Sequence, residues 1–239
     1  MIKLFSDGAD FEGIKKAAGN PLVKGFTTNP TLMVKAGITD YENFARDTIY
    51  WLASNRQDTC LSLEVFADTA TEMMEQARKI HSWSNDDYPV YIKIPVTNTH
   101  GNYSHFITQL AAEGIKLNVT AILTEEQITY TYNSLNPKVP AIISIFAGRI
   151  YDTGKDASEI INYSLLDLSR PPIDLIEFLW ASPRQVYDFI LAEQSRCDII
   201  TMTPELIAKL DLFDKTLEDY SLETVCMFYN DGVKAGYKI

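Results

Sequence analysis

The sequence predicts a parallel α/β fold, and at 239 residues the (β/α)8 barrel fits that pattern best. Three observations carry the prediction. Eight short runs rich in β-branched and aromatic residues recur from end to end, amphipathic stretches separate them, and no Ser/Gly-rich linker interrupts the alternation. An open doubly wound sheet would share this alternation, but no Gly-rich dinucleotide loop follows the first strand. The barrel is assigned to residues 1–211, and 212–239 form a C-terminal helix and tail outside the repeating pattern.

The elements follow in order. Ile2 to Ser6 reads as the first strand, Phe11 to Ala18 as a short helix, and Lys24 to Phe26 as the second strand, opening into a Thr27-Thr28-Asn29-Pro30 turn. Thr39 or Asp40 caps a helix to about Ser54, with Phe44, Thr48, Trp51 and Leu52 on one face. Leu61 to Phe66 is the third strand, and Thr69 with Glu72 starts a helix to about Ser82. Val90 to Val96 is the fourth strand, and a helix from about Tyr103 ends at Gly114. Ile115 to Thr120 is the fifth strand, and Thr124 with Gln127 has capping-box spacing for the helix after it. Pro140 to Phe146 is the sixth strand. The helix Ala157 to Leu168 stops before Arg170-Pro171-Pro172, and Leu175 to Trp180 is the seventh strand. Pro183 opens a helix to about Glu193, Asp198 to Met202 is the eighth strand, and Pro204 starts another helix. A last amphipathic segment covers roughly Leu212 to Tyr229.

Composition narrows the function. With 46% hydrophobic and 22% charged residues, the chain reads as a soluble globular protein with a substantial core. A net charge of −11 argues against an extended basic footprint for nucleic acid, so an anionic substrate would need a local basic pocket. Cys60, Cys197 and Cys226 are odd in number, widely spaced and set among apolar residues, which suggests reduced thiols in a reducing compartment. No stretch approaches the roughly 18 uninterrupted apolar residues of a membrane span, and the N-terminus has no signal pattern. A cytoplasmic location without membrane contact is the expectation.

Within the fourth strand, Lys93 lies between apolar neighbours, where an ammonium is costly to desolvate. A desolvated lysine tends to lose its proton, and a neutral amine attacks carbonyl carbons. The alternative is a lysine whose stem covers apolar surface while its head reaches water. In a barrel the strand C-termini build the active site, and nearly every strand here ends in polar groups. They are Asp7, Asn29, Glu64, Lys93, Asn118 with Thr120, Ser144 with Arg149, and Ser182 with Arg184. Packing alone explains so many poorly, although some could satisfy one another without a ligand.

Five segments at these strand ends also resemble transaldolase motifs in their usual order. They are Gly25-Phe26-Thr27-Thr28-Asn29-Pro30-Thr31, Ile92-Lys93-Ile94-Pro95-Val96-Thr97, Gly114-Ile115-Lys116-Leu117-Asn118-Val119-Thr120, Ser144-Ile145-Phe146-Ala147-Gly148-Arg149 and Ala181-Ser182-Pro183-Arg184. The likeness spans about Ile2 to Pro204 and is nearest the small-subunit branch that includes the fructose-6-phosphate aldolases. It implies a class I Schiff-base enzyme that needs no cofactor or metal. Lys93 would attack the ketose carbonyl, and Asp7 would handle the proton of the hydroxyl beside the breaking carbon–carbon bond. Glu64 with Thr120 would hold the water of imine formation and hydrolysis. Asn29, Asn118 and Ser144 would bind donor hydroxyls, with Thr27 lining the same pocket. Arg149, Arg184 and Ser182 would take the phosphate of a phosphorylated sugar, since guanidinium groups suit a tetrahedral dianion. One departure is Pro183, where the family usually carries an aromatic; proline removes an N–H donor there. Glu64 and Phe146 are the pair that transaldolases carry, where the aldolase branch tends to glutamine and tyrosine. A lyase of the aldolase type is the alternative activity, and a barrel that binds sugar phosphates without turnover is a third reading. The resemblance further implies a ring-like homo-oligomer, with a decamer as one arrangement, the last helix reaching across an interface.

Other features read more simply. His81, His100 and His105 lack metal-ligand spacing with matching acids or thiols. Asp86-Asp87 fits a solvated loop. Trp51, Trp83 and Trp180 fit core packing, and Met227, Phe228 and Tyr229 fit a helix face against a neighbouring surface.

Overall fold

Side-chain alternation along the strands decides what fills the centre of this protein. The computed structural model describes residues 2–84, 88–168 and 175–238; Asp86-Asp87 and Arg170-Pro171-Pro172 lie outside the described residues. Strands β1 (Lys3–Asp7), β2 (Val23–Thr27), β3 (Leu61–Glu64), β4 (Val90–Pro95), β5 (Leu117–Ile122), β6 (Ala141–Ile145), β7 (Ile176–Trp180) and β8 (Ile199–Met202) are parallel, each paired with the next. β1 also pairs with β8, so the sheet closes into the expected eight-stranded TIM barrel.

One set of alternate residues plugs the barrel. Phe5, Tyr91, Ile142, Leu179 and Ile199, with Cys60 and Ala181, form a buried apolar cluster against which Phe146 packs. Two residues further along four of those strands stand Asp7, Lys93, Ser144 and Thr201. Period two thus puts a polar layer directly above an apolar floor. Gly25 belongs to the floor as well: a Cβ there would lie 2.6 Å from atoms of the Phe5 ring, so only glycine leaves room for it. The opposite set, including Leu63, Ile92, Ile94, Val119, Ile143, Phe178 and Trp180, is fully buried beneath the helices. Each such side chain contributes about 1.5–3 kcal/mol of transfer free energy.

The helices are α1 (Phe11–Ala18), α2 (Pro30–Lys35), α3 (Tyr41–Asn55), α4 (Ala70–His81), α5 (Ile107–Ala112), α6 (Glu125–Ser134), α7 (Ala147–Asp152), α8 (Ala157–Asp167), α9 (Asp188–Gln194), α10 (Pro204–Ala208) and α11 (Leu217–Ala235). Asp10, Asp40, Thr69 and Thr124 cap α1, α3, α4 and α6 through their side chains, and Thr124 and Gln127 form a complete capping box. Two helices were not expected. α2 continues the Thr27–Pro30 turn, because Asn29 accepts from Leu32 N and Pro30 fits the first helical turn. α7 starts after Phe146 with no side-chain cap, so it carries no sequence signal at its N-terminus.

Two helix starts fall later than expected. The helix predicted from Tyr103 begins at Ile107, since Tyr103 bridges to Thr97 and the Ser104 hydroxyl donates to Pro95 O. The helix predicted from Pro183 begins at Asp188. Ser182 there has φ +60°, and the buried Asp188 carboxylate accepts from Arg184 N and Gln185 N.

Contacts divide the chain into residues 1–207 and 208–239, where the sequence puts the boundary at 211. In the second unit, α11 starts at Leu217 behind the Thr216 cap and ends at Gly236 in the left-handed region. No α11 residue is buried; Leu217, Leu222, Val225, Phe228, Tyr229 and Val233 are exposed, as is the free thiol of Cys226. Cys60 and Cys197 are buried, and neither is held in a disulfide. Among the described residues, no helix is long and apolar enough to cross a membrane.

Candidate active site

Above the apolar floor, a cavity of about 520 Å³ opens at the C-terminal ends of the strands. Asp7, Thr27, Asn29, Glu64, Lys93, Thr120, Ser144, Phe146, Arg149, Ser182, Pro183 and Arg184 all line it. So do Lys35, Thr201 and Thr203, which the sequence reading did not single out. Thr201 and Thr203 continue the inward positions of β8 beyond Ile199, so period two was the signal for them.

Lys93 is at the centre. It is 5% exposed, so its ammonium depends on partners. Its Nζ donates to the Thr28 carbonyl at 2.7 Å and stands 3.0 Å from Glu64 Oε2. Strand register explains the acidic partner that local sequence does not offer: β3 and β4 pair Glu64 directly with Lys93. The backbone of Glu64 is held in turn, because the half-buried Tyr41 hydroxyl donates to its main-chain carbonyl at 2.8 Å. Burial holds the Tyr41 phenol well above its usual range, with the Glu64 charge adding to the effect.

The Thr27–Pro30 turn serves several ends at once. Thr27 donates to Asp7 Oδ1 at 2.7 Å, and Thr28 ties its hydroxyl to Ser62 O and its carbonyl to Lys93. Asn29 caps α2 with its side-chain oxygen, which leaves its amide nitrogen for the cavity. Burial pushes the Asp7 carboxyl above the usual carboxylate range, with Lys93 and the Thr27 hydrogen bond pulling the other way and Glu64 adding to the rise.

β5 bulges between Val119 and Ile122, with Ala121 at φ +61°. That bulge sets Thr120 at the cavity wall, its Oγ1 buried and without a hydrogen-bond partner among the described residues. A buried hydroxyl of this kind suits a bound water or substrate oxygen. Asn118 is lower. It is fully buried, donates to Ser62 at 3.1 Å, accepts from Ser144 at 2.7 Å, and is not among the cavity-lining residues. Its first effect is to orient Ser144, which does line the cavity. Ser62 is a partner that sequence reading missed.

The basic side is carried by Arg149, Arg184 and Lys35. Arg149 lies over the Phe146 ring, 5.7 Å from its centroid. Arg184 is forked onto Asp152, with Nη2 on one carboxylate oxygen and Nε 3.3 Å from the other, which leaves Nη1 free of that pair. Both partners are about half exposed, so the pair is weak and an anionic ligand can compete for the guanidinium. Gly148 is needed beside it, because a Cβ there would lie 1.7 Å from the Ser182 carbonyl oxygen. His105 bonds Tyr130 through Nδ1, and no group of three or more His, Cys, Asp or Glu side chains among the described residues could hold a metal ion.

Known proteins resemble this chain in sequence or in fold. The transaldolase/fructose-6-phosphate aldolase family profile matches residues 4–235. The chain belongs to that family. A probable transaldolase of Streptococcus pyogenes serotype M5 is 34% identical over 214 residues, covering 87% of this chain and 90% of the relative. A probable transaldolase of Dehalococcoides mccartyi is 33% identical over 161 residues, covering 67% and 68%. A crystal structure of 2,3-dimethylmalate lyase aligns with a TM-score of 0.55 at 10% identity, over 99% of this chain and 84% of that one, which speaks for the fold alone. As a member of the transaldolase/fructose-6-phosphate aldolase family, the protein is an enzyme of transaldolase type, a class I Schiff-base transferase.

Proposed function

We propose that this enzyme transfers a dihydroxyacetone unit from a ketose phosphate, such as fructose 6-phosphate or sedoheptulose 7-phosphate, to an aldose phosphate. The observation that carries the reading is a buried Lys93 Nζ 3.0 Å from Glu64, in one cavity with Asp7 and two arginines. Glu64 takes the ammonium proton, and the free amine of Lys93 attacks the C2 carbonyl. Loss of water, held between Glu64 and Thr120, gives the iminium. Asp7 then takes the C4 hydroxyl proton, the C3–C4 bond breaks, and its electron pair enters the iminium as an enamine while the aldehyde leaves. The enamine adds to the carbonyl of the acceptor, Asp7 returns the proton, and water releases the new ketose. Two carboxylates in different surroundings divide the work: Glu64 serves nitrogen and water, Asp7 serves the sugar hydroxyl. Asn29 and Ser144 hold donor hydroxyls, with Asn118 behind Ser144. Arg149, Ser182 and the free edge of Arg184 receive the phosphate, and Pro183 shapes that wall without donating. No metal or cofactor enters these steps.

Transfer rather than release follows from Phe146. A phenyl ring at this wall offers no hydroxyl to protonate the enamine, so the intermediate waits for an aldehyde. With fructose 6-phosphate and erythrose 4-phosphate, transfer product is expected to exceed free dihydroxyacetone. Phe146→Tyr is expected to shift that ratio toward release by about ten- to a hundredfold, the range of one added hydrogen bond. Free dihydroxyacetone dominating in the unaltered protein, with acceptor present, would make it a lyase. Binding without any product would leave a sugar-phosphate-binding barrel.

The exposed apolar residues of α11 fit a contact with another copy, and a homo-oligomer, in a ring such as a decamer, is the assembly we propose. Sedimentation at micromolar concentration is expected to give a species several times 27.0 kDa; a monomer would reject it. A reducing cytoplasm is the compartment that agrees with three cysteines held in no disulfide.

A further inference from the structure

β1 carries Asp7 between two strands that each bring a threonine to it. Thr27 on β2 is in direct register with Asp7, and Thr201 on β8 pairs with Phe5, the floor residue beneath Asp7. The hydroxyls join in a line: Thr27 Oγ1 is 2.7 Å from Asp7 Oδ1 and 2.6 Å from Thr201 Oγ1. Both threonines are buried, and Thr201 borders the cavity. Resting on the reading of Asp7 as the carboxylate that takes the substrate proton, we infer that Thr201 is a positioning residue: through Thr27 it holds Asp7 in its ionised, acceptor state, and it changes from acceptor to donor at the cavity wall once Asp7 is protonated.

The inference follows from counting protons. A hydroxyl has one, and an ionised carboxylate only accepts. While Asp7 is ionised, Thr27 must spend its proton on Asp7, so the bond between the threonines runs from Thr201 to Thr27. Thr201 then shows the cavity lone pairs alone. When Asp7 takes the sugar proton on Oδ1, it can donate to Thr27, Thr27 to Thr201, and the Thr201 proton turns to the cavity. The only proton gained is the one the sugar lost; the threonines merely exchange donor and acceptor roles, and no heavy atom moves. The reversed chain offers an O–H to the cavity at the stage when the acceptor must be held. Donation from Thr201 also strengthens the Thr27 bond to Asp7, since hydrogen bonds in a line polarise one another. Other charges face Asp7 across the cavity. Lys93 of β4 lowers its proton affinity and Glu64 of β3 raises it, both through space. Lys35 of α2, Arg149 of α7 and Arg184 border the same space. None of them replaces the Thr27 bond.

The test is the pH dependence of kcat and kcat/KM for transfer from fructose 6-phosphate to erythrose 4-phosphate in the parent, Thr201→Val, Thr201→Ser and Asp7→Asn proteins. Borohydride capture of substrate on Lys93 is followed in each as a sign that the site is assembled. Thr201→Val is expected to move the acid limb upward by about half a pH unit and lower kcat about tenfold, with capture intact. Thr201→Ser is expected to restore both. Thr201→Ala stands in if the valine protein does not fold. A lower kcat with the acid limb unmoved, or no recovery with serine, would overturn the inference. An acid limb that survives in Asp7→Asn would instead overturn the reading of Asp7 beneath it.

Discussion

Lys93→Arg is expected to abolish transfer, by at least about ten-thousandfold, the scale on which loss of a covalent nucleophile acts. Arginine keeps a cation opposite Glu64, 3.0 Å from Nζ in the parent, and can still donate to the Thr28 carbonyl. It cannot form the imine, because its guanidinium stays protonated. Fold and charge are therefore held while chemistry is removed. Incubation with fructose 6-phosphate and borohydride should add a three-carbon unit to Lys93 of the parent, located by peptide mass, and nothing to the variant. Lys93→Met makes a useful contrast. It leaves Glu64 partly buried without its cation, which costs up to about 3–5 kcal/mol and should appear as a lower melting temperature. An adduct on another lysine, or turnover retained in Lys93→Arg, would reject the mechanism.

Asp7→Asn should act at a different step. The amide is nearly isosteric and Lys93 is untouched, so the borohydride adduct should still form from fructose 6-phosphate. With no group to take the hydroxyl proton, cleavage should fall by about 10²–10⁴-fold, and the trapped adduct should retain all six carbons. The pH dependence has a definite sign. Cleavage needs the ionised carboxylate, and burial holds the Asp7 carboxyl above its usual range. The parent rate should therefore decline as pH falls through that raised value, and Asp7→Asn should lack this limb. Stability runs the opposite way. A carboxyl with a raised folded-state pKa weakens the fold above its unfolded value, and the strain is relieved as pH falls below the folded one. At neutral pH the asparagine protein should melt no lower than the parent. A three-carbon adduct in Asp7→Asn would show that another group takes the proton.

Much of this site was legible because strands have a period of two. Phe5, Tyr91, Ile142 and Ile199 are apolar, and Asp7, Lys93, Ser144 and Thr201 follow each by two residues on the same inward face. In a barrel that face can lead only to the cavity at the strand ends. Thr201 was overlooked although it obeys the rule, since Ile199-Ile200-Thr201-Met202 reads as an ordinary strand. Helix starts were legible where a side chain caps them, as at Asp10, Asp40, Thr69 and Thr124. α7 has no such cap, and α9 begins late because Ser182 adopts φ +60° and Asp188 gathers the backbone of Arg184 and Gln185.

The sequence by itself determined the eight-stranded barrel, the lysine at its centre and the set of polar strand ends, because each depends on short-range periodicity and residue type. Tertiary structure alone decided the partners. Glu64 meets Lys93 by β3–β4 register, Asn118 is locked between Ser62 and Ser144 below the cavity, and Arg184 is drawn onto Asp152. Thr27 and Thr201 are 174 residues apart and meet only because β8 closes onto β1. Hydrogen bonds of about 3 Å demand a precision that local preference does not carry, and closure of the sheet supplies it.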